Sequence, residues 1–316
     1  MTQTTWPTVA VMGAGAVGCY YGGMLAAAGA SVTLVGRPTH VDAIAENGLV
    51  IERSDRRDVV RVRAASDAAA VRGADIVLLC VKSPDTEQAA AAMKPHLRAD
   101  AVVVSLQNGV DNADRTAEVI DQAVLAAVVW VGAYMEGPGI VRHTGRGDLV
   151  LGVTRRCADR PGAATHVIDV STMFERAGVT CSVAQDIESA LWRKLVINCA
   201  FNAISAVGRA RYGRMAGQPA IRDLMETAVR ESVAVAQASG IGLDATEMLA
   251  TVWATANALA SQHSSTAQDL LRGKPTEIDS LNGYVAERAR ALGLDVPVNR
   301  ALHALVKLRE AGDDLA

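Results

Sequence analysis

The spacing Gly13-x-Gly15-x-x-Gly18 constrains this chain more than any other feature. The short apolar run Val9–Met12 leads into it, and an alanine-rich segment follows it as far as Gly29. Ser31–Val35 then reads as a second, β-branched strand. Alone, the glycine spacing is weak. Between a strand and a helix, inside a βαβ unit of about 30 residues, it marks a dinucleotide-binding turn. The first glycine permits the tight turn, the second lets backbone approach a pyrophosphate, and the third lets helix and strand pack closely. Gly13, Ala14, Gly15, Ala16, Val17 and Gly18 are the candidate phosphate loop. The helix that follows offers N–H groups and a partial positive charge to the phosphates.

Further alternation of strands and helices extends this unit into an open parallel sheet. ADIVLLCVK and AVVVSLQNG read as buried strands with a helix, Thr86 to Leu97, between them. AVLAAVVWV reads as another strand, and GIVRHTGRGDLVLG as two strands around a glycine-rich turn. Val179 to Val183 is the last strand candidate. From Asp186 onward the pattern is helical. The expected class is therefore α/β: a Rossmann-type parallel-sheet domain over 1–185, then an all-helical domain over 186–316, with the boundary near Ala184–Ile187.

Composition narrows the function classes. The chain has 316 residues, enough for two domains with their own cores, and 50% hydrophobic with 21% charged residues is globular composition. A net charge of -3 without a basic stripe gives no nucleic-acid footprint. Five scattered cysteines with no CxxC suggest neither a disulfide framework nor a zinc site, which points to a reducing, cytoplasmic compartment. Cys80 and Cys199 read as small core residues, and Trp192 and Trp253 as core. The six histidines form no metal-binding pair, so no metal is expected. Met1–Gly36 carries no charge, but Gly13, Gly15, Gly18, Gly22 and Gly23 interrupt it and it lacks a positive n-region, so neither an export signal nor a membrane span is expected.

An acidic residue about 20 residues past the glycines holds the ribose 2′-OH in NAD sites. Here that place reads Val35-Gly36-Arg37. Arg37 suits a 2′-phosphate and hence NADP(H); the alternative is a surface arginine in a loop. Lys82 closes its strand at the sheet edge where ligands bind in such folds, or is a solvated loop lysine. Asn108 ends the next strand, in an Asn-Gly pair that is also common in plain turns.

WRKLVINCAFNAISA, Trp192 to Ala206, is an apolar helix interrupted at steps of four by Lys194, Asn198 and Asn202. Such positions share one helix face. The stripe either faces water or lines a cavity where a polar ligand is hydrogen-bonded. By spacing alone, Thr276-Glu277-Ile278-Asp279 is a helix capping box, and Ser265 is a polar residue near a helix start.

Together these pieces resemble the ketopantoate reductase (2-dehydropantoate 2-reductase) family over nearly the whole chain. The carrying segments are GAGAVGCYYGGMLAAAG, VTLVGR, CVKS, LQNGV, GIVRHTGRGDLVLG, WRKLVINCAFNAISA and PTEIDSLNGYVAERARALGLDVPVN. The resemblance implies that the glycine loop, Arg37 and Lys82 serve NADP(H), and that Asn108 sits where nicotinamide and substrate meet. It implies Lys194 as the catalytic lysine and Asn198, Asn202, Ser265 and Glu277 as substrate-binding residues. Two departures, Ala203 for a frequent proline and Thr266-Ala267 for Met plus a large apolar residue, bear on the substrate more than on the chemistry.

The implied reaction is reduction of a 2-oxo acid, ketopantoate, by NADPH, in pantothenate and coenzyme A synthesis. Lys194 would hydrogen-bond the developing alkoxide and protonate it. Burial among Leu195, Ile197 and Phe201 would lower its pKa toward neutrality. The alternatives are a related 2-oxo acid or a non-catalytic NADPH sensor. The implied partner is a small-molecule substrate, with no nucleic acid and no membrane, and a homodimer is left open.

Overall fold

The structure, a computed structural model, describes residues 5–312. The chain divides into two compact units. One holds the described residues through Gln107 together with Asp111–Ile187; the other holds Asn108–Val110 with the chain from Glu188 onward.

The first unit is a ten-stranded sheet with helices. Its strands are β1 (Val9–Met12), β2 (Val32–Val35), β3 (Leu49–Glu52), β4 (Arg57–Val60), β5 (Arg63–Ala65), β6 (Ile76–Leu79), β7 (Val102–Ser105), β8 (Ala123–Gly137), β9 (Ile140–Gly152) and β10 (Cys181–Val183). Its helices are α1 (Ala16–Ala27), α2 (Pro38–Asn47), α3 (Thr86–Met93), α4 (Asn112–Val119) and α5 (Ala163–Arg176). The sheet runs β4-β3-β9-β8-β7-β6-β1-β2-β5, and β10 also pairs with β9. From β5 to β8 every pairing is parallel. Strands β1 and β6 are apolar throughout and β7 up to its final Ser105, as suits strands covered on both faces. Tyr21 of α1 meets Phe174 of α5 edge-on, ring centroids 5.8 Å apart, both fully buried.

Several expectations are corrected here. The sheet is mixed rather than parallel, because β8–β9 and β3–β4 are antiparallel. The segment 140–152 is one strand and not two. Gly145, Arg146 and Gly147 have positive φ, but they produce register shifts against β8 and not a reversal. The reversal comes earlier, at Pro138-Gly139, where Gly139 has φ 68°. The helix expected over 86–97 stops at Met93 and tightens to a 3₁₀ turn over Lys94–His96, since Pro95 cannot donate the next helical hydrogen bond. The last strand starts at Cys181 and not at Val179. The segment 49–65, unread in the sequence, contributes three strands.

The second unit is helical: α6 (Ile187–Gly208), α7 (Tyr212–Ala216), α8 (Pro219–Ala238), α9 (Ala245–Ala258), α10 (Ser265–Leu271), α11 (Asn282–Leu292) and α12 (Pro297–Glu310). Helix α6 is buried around most of its circumference. Leu195, Val196, Cys199, Ala200, Phe201 and Ala203 are each at most 2% exposed, as in a helix packed on several faces. Phe201 stacks on Tyr212 at 4.2 Å, and Trp192 meets Tyr284 edge-on. Trp253 is not core. It is half-buried, with the Arg222 guanidinium 4.3 Å over its ring.

A buried amide network braces α6 from behind. Asn282 Nδ2 donates to the Cys199 carbonyl (3.2 Å) and to Asn299 Oδ1 (2.9 Å). Asn299 Nδ2 donates to the Ala228 carbonyl and to Glu231. Cys80 is half-buried rather than fully buried. Burial pushes the Cys19 and Cys199 thiols up to about 12, which leaves them protonated core residues rather than nucleophiles.

Candidate active site

The phosphate-loop glycines occupy three different environments. Gly13 has φ 113°, and a Cβ there would lie 2.7 Å from backbone atoms of Cys80 and Val81. A Cβ on Gly18 would lie 2.2 Å from the Gly13 carbonyl oxygen and 2.8 Å from Val11. A Cβ on Gly15 would meet nothing within 4 Å. Two of the glycines are thus required by the fold, while the third leaves open space over its backbone. Helix α1 starts at that open position with no side-chain cap and no acid in its first turn. These features fit a bound pyrophosphate. Ala14, Ala16 and Val17 complete the turn. Gly36 brings the end of β2 against it, since a Cβ there would lie 2.5 Å from that of Ala14.

Arg37 follows at the N-terminus of α2, exposed, with no carboxylate partner among the described residues. Lys82 does not end its strand. β6 stops at Leu79, and Lys82 is the half-buried residue that opens a 3₁₀ turn. Asn108 likewise lies three residues beyond the end of β7.

In the second unit three of the expected residues meet. Lys194 Nζ donates to Asn108 Oδ1 at 2.8 Å, and Asn108 Nδ2 donates to Glu277 Oε2 at 2.9 Å. One carboxamide therefore holds the ammonium and the carboxylate on its two ends. All three side chains are half-buried. Asn198 and Asn202 continue the face that Lys194 begins. Asn198 is half-buried and Asn202 is 3% exposed.

Glu277 is not part of a capping box. Asp279 turns away to His303 (2.6 Å) and Lys307 (3.0 Å), and the Thr276 N–H donates to Glu310 instead. Although burial opposes it, the His303 and Lys307 hydrogen bonds hold the Asp279 carboxyl below its usual range. The Glu277 side chain caps nothing and stays available to Asn108.

Ser265 is exposed at the first turn of α10. Its neighbour Ser264, which sequence reasoning passed over, is the structural serine. Ser264 Oγ accepts from the Ala267 N–H (3.0 Å) and donates to the Asn202 carbonyl (3.1 Å), so α10 is tied to the helix that carries the stripe. The signal was present as a serine immediately ahead of a helical run. Ala203, Thr266 and Ala267 are all buried. No helix among the described residues is long and apolar enough to cross a membrane.

A glycine turn between the first strand and helix of a largely parallel sheet, joined in one chain to a helical unit bearing a lysine–asparagine–glutamate cluster, defines a nicotinamide-coenzyme-dependent oxidoreductase. The chain belongs to the ketopantoate reductase PanE/ApbA family. The model of that family matches residues 9–156, and the model of its C-terminal part matches residues 186–310. A 2-dehydropantoate 2-reductase of Halobacterium salinarum is 36% identical, covering 96% of this chain and 98% of its own. That of Pyrococcus horikoshii is 32% identical, covering 95% and 97%. A solved PanE/ApbA family ketopantoate reductase from Ralstonia eutropha is 48% identical, with TM-score 0.89, covering 96% and 98%. A D-mandelate dehydrogenase solved with NADH and anilino(oxo)acetate shares the fold at TM-score 0.89 and 23% identity, covering 96% and 98%.

Proposed function

We propose that this chain reduces ketopantoate to pantoate with NADPH, with residues 1–185 binding the coenzyme and residues 186–316 binding the substrate. The observation that carries the reading is the Lys194–Asn108–Glu277 cluster, with hydrogen bonds of 2.8 and 2.9 Å. A bound nicotinamide coenzyme supplies the hydride. Lys194 Nζ, oriented by Asn108, donates a proton to the carbonyl oxygen as negative charge develops there, and recovers one from water. Asn198, Asn202 and Ser265 hold the polar groups of the 2-oxo acid, and Glu277 accepts from its terminal hydroxyl. Gly13, Ala14, Gly15, Ala16, Val17 and Gly18 hold the pyrophosphate, and Lys82 and Asn108 border the nicotinamide.

The fold alone does not select NADPH, since the D-mandelate dehydrogenase neighbour was solved with NADH. An exposed Arg37 without a carboxylate partner among the described residues favours a 2′-phosphate. A small 2-oxo acid is the only partner the reading requires.

The test compares kcat/KM for ketopantoate and for 2-oxoisovalerate, which has the branched body but no hydroxyl. A site built around that hydroxyl discriminates by up to ~10⁴-fold, whereas an ordinary pocket contact gives about 1–3 kcal/mol. Glu277→Ala is expected to depress ketopantoate turnover and to narrow the ratio. An unchanged ratio removes Glu277 from the site. Faster turnover of a different 2-oxo acid in a panel replaces the substrate, and no NADPH oxidation with any of them leaves a coenzyme-binding sensor.

A further inference from the structure

Lys82 and Asn108 sit on two different loops, and each is adjacent in sequence to a buried polar residue, Ser83 and Gln107. Those neighbours are joined. Gln107 Nε2 donates to Thr86 Oγ1 at 2.8 Å, and Gln107 Oε1 accepts from Ser105 Oγ at 2.9 Å. The Thr86 hydroxyl lies 2.8 Å from the Ser83 carbonyl and 3.0 Å from Asn112 Oδ1. Asn112 Nδ2 donates to Ser83 Oγ at 3.2 Å. Arg115 closes the outer side, donating to Asn112 Oδ1, to the Ser83 carbonyl and to Glu87. Its hydrogen bonds hold the Glu87 carboxyl below the usual carboxylate range. Ser83, Thr86, Ser105, Gln107 and Asn112 are all at most 5% exposed.

A core at the end of apolar strands has no need of five polar side chains, because each must be fully satisfied to avoid a desolvation cost. What the network adds is direction. Hydrogen bonds are angular and specify one geometry, whereas apolar packing permits several. We propose that Thr86 and Gln107 are positioning residues: their buried hydrogen bonds fix Gln107 against the turn at Ser83, and so hold the backbone from which the Asn108 carboxamide extends. The inference rests on the reading that Asn108 serves the reaction. Neither Thr86 nor Gln107 touches a reacting group. Gln107 acts through its chain neighbour Asn108 and Thr86 through its hydrogen bond to Gln107; a displacement of about 1 Å at a reacting group costs on the order of 10²-fold in rate.

The test uses Thr86→Val, which removes the hydroxyl at nearly constant shape, and Thr86→Ser, which restores it. Two readouts are taken on the full chain. The first is the side-chain amide resonance of Asn108 in ¹⁵N-labelled protein, assigned by its disappearance in Asn108→Asp and recorded without coenzyme or substrate. The second is kcat and KM at saturating NADPH. Thr86→Val is expected to shift or broaden the Asn108 resonance and to lower kcat by roughly 10–100-fold, with both restored in Thr86→Ser. If Thr86→Val fails to fold, Gln107→Leu carries the same comparison. A lower melting temperature with the resonance and kcat unchanged would make the network purely structural and overturn the proposal. Absent ketopantoate turnover in the unmodified protein overturns the functional reading instead, and the amide resonance still decides the positioning role.

Discussion

The carboxamide of Asn108 has one acceptor end and one donor end, and both are used: the oxygen by Lys194 and the nitrogen by Glu277. Neither a carboxylate nor an apolar side chain reproduces that pair, because the first repels Glu277 and the second binds nothing. Lys194 is held by a neutral acceptor at 2.8 Å, so its ammonium keeps a direction in which to present a proton. Lys194→Ala is accordingly expected to lower kcat by ~10²–10⁴-fold, the range for loss of a general acid. The melting temperature and NADPH affinity should stay close to those of the unmodified protein, since the side chain is only half-buried. Steady-state NADPH oxidation together with a coenzyme titration checks this. Near-normal turnover would move the proton donor elsewhere.

At the scale of single elements, the turn from β1 into α1 separates fold from function within six residues. Gly18→Ala drives a Cβ to 2.2 Å from a backbone carbonyl, so the turn itself has to move. A loss of about 1–3 kcal/mol is expected from such overpacking, along with weaker coenzyme binding. Gly15→Ala meets nothing within 4 Å, and its φ of -87° suits any residue. It should be neutral, or stabilising by up to about 1 kcal/mol through the unfolded chain, while its methyl group fills the space a pyrophosphate needs. Denaturant unfolding and NADPH titration of the two variants separate these effects. Equal NADPH affinity in Gly15→Ala and the unmodified protein would contradict the phosphate-loop assignment. In the helical unit Asn282, Asn299 and Ser264 brace α6 and α10.

For the molecule as a whole, a ligand that binds only the folded chain raises its stability by RT ln(1 + [L]/Kd), about 2.7 kcal/mol at a hundredfold excess over Kd. NADPH should therefore raise the melting temperature more than NADH at equal concentration. Arg37→Ala should remove about 1.5–3 kcal/mol of binding from NADPH alone, the range of a charge-assisted contact. Thermal shift with both coenzymes checks the pair. Equal losses for NADPH and NADH would make Arg37 structural.

The sequence by itself determined the glycine turn, the apolar strands around it, the change to helices after Asp186 and the polar stripe on α6. Each of these is written in residues within a few positions of one another, and turn chemistry and side-chain periodicity act at that range. The antiparallel pair β3 and β4 escaped such reading. Both strands are short, β4 lies half-exposed at the sheet margin, and Arg57 and Asp58 break up its apolar pattern. The local reading of TEID as a capping box failed for a related reason, because Asp279 found His303 and Lys307, 24 and 28 residues further along the chain. The meeting of Asn108 with Lys194 and Glu277 spans 86 and 169 residues. No periodicity reaches that far. Only the packing of whole elements decided which polar side chains face one another.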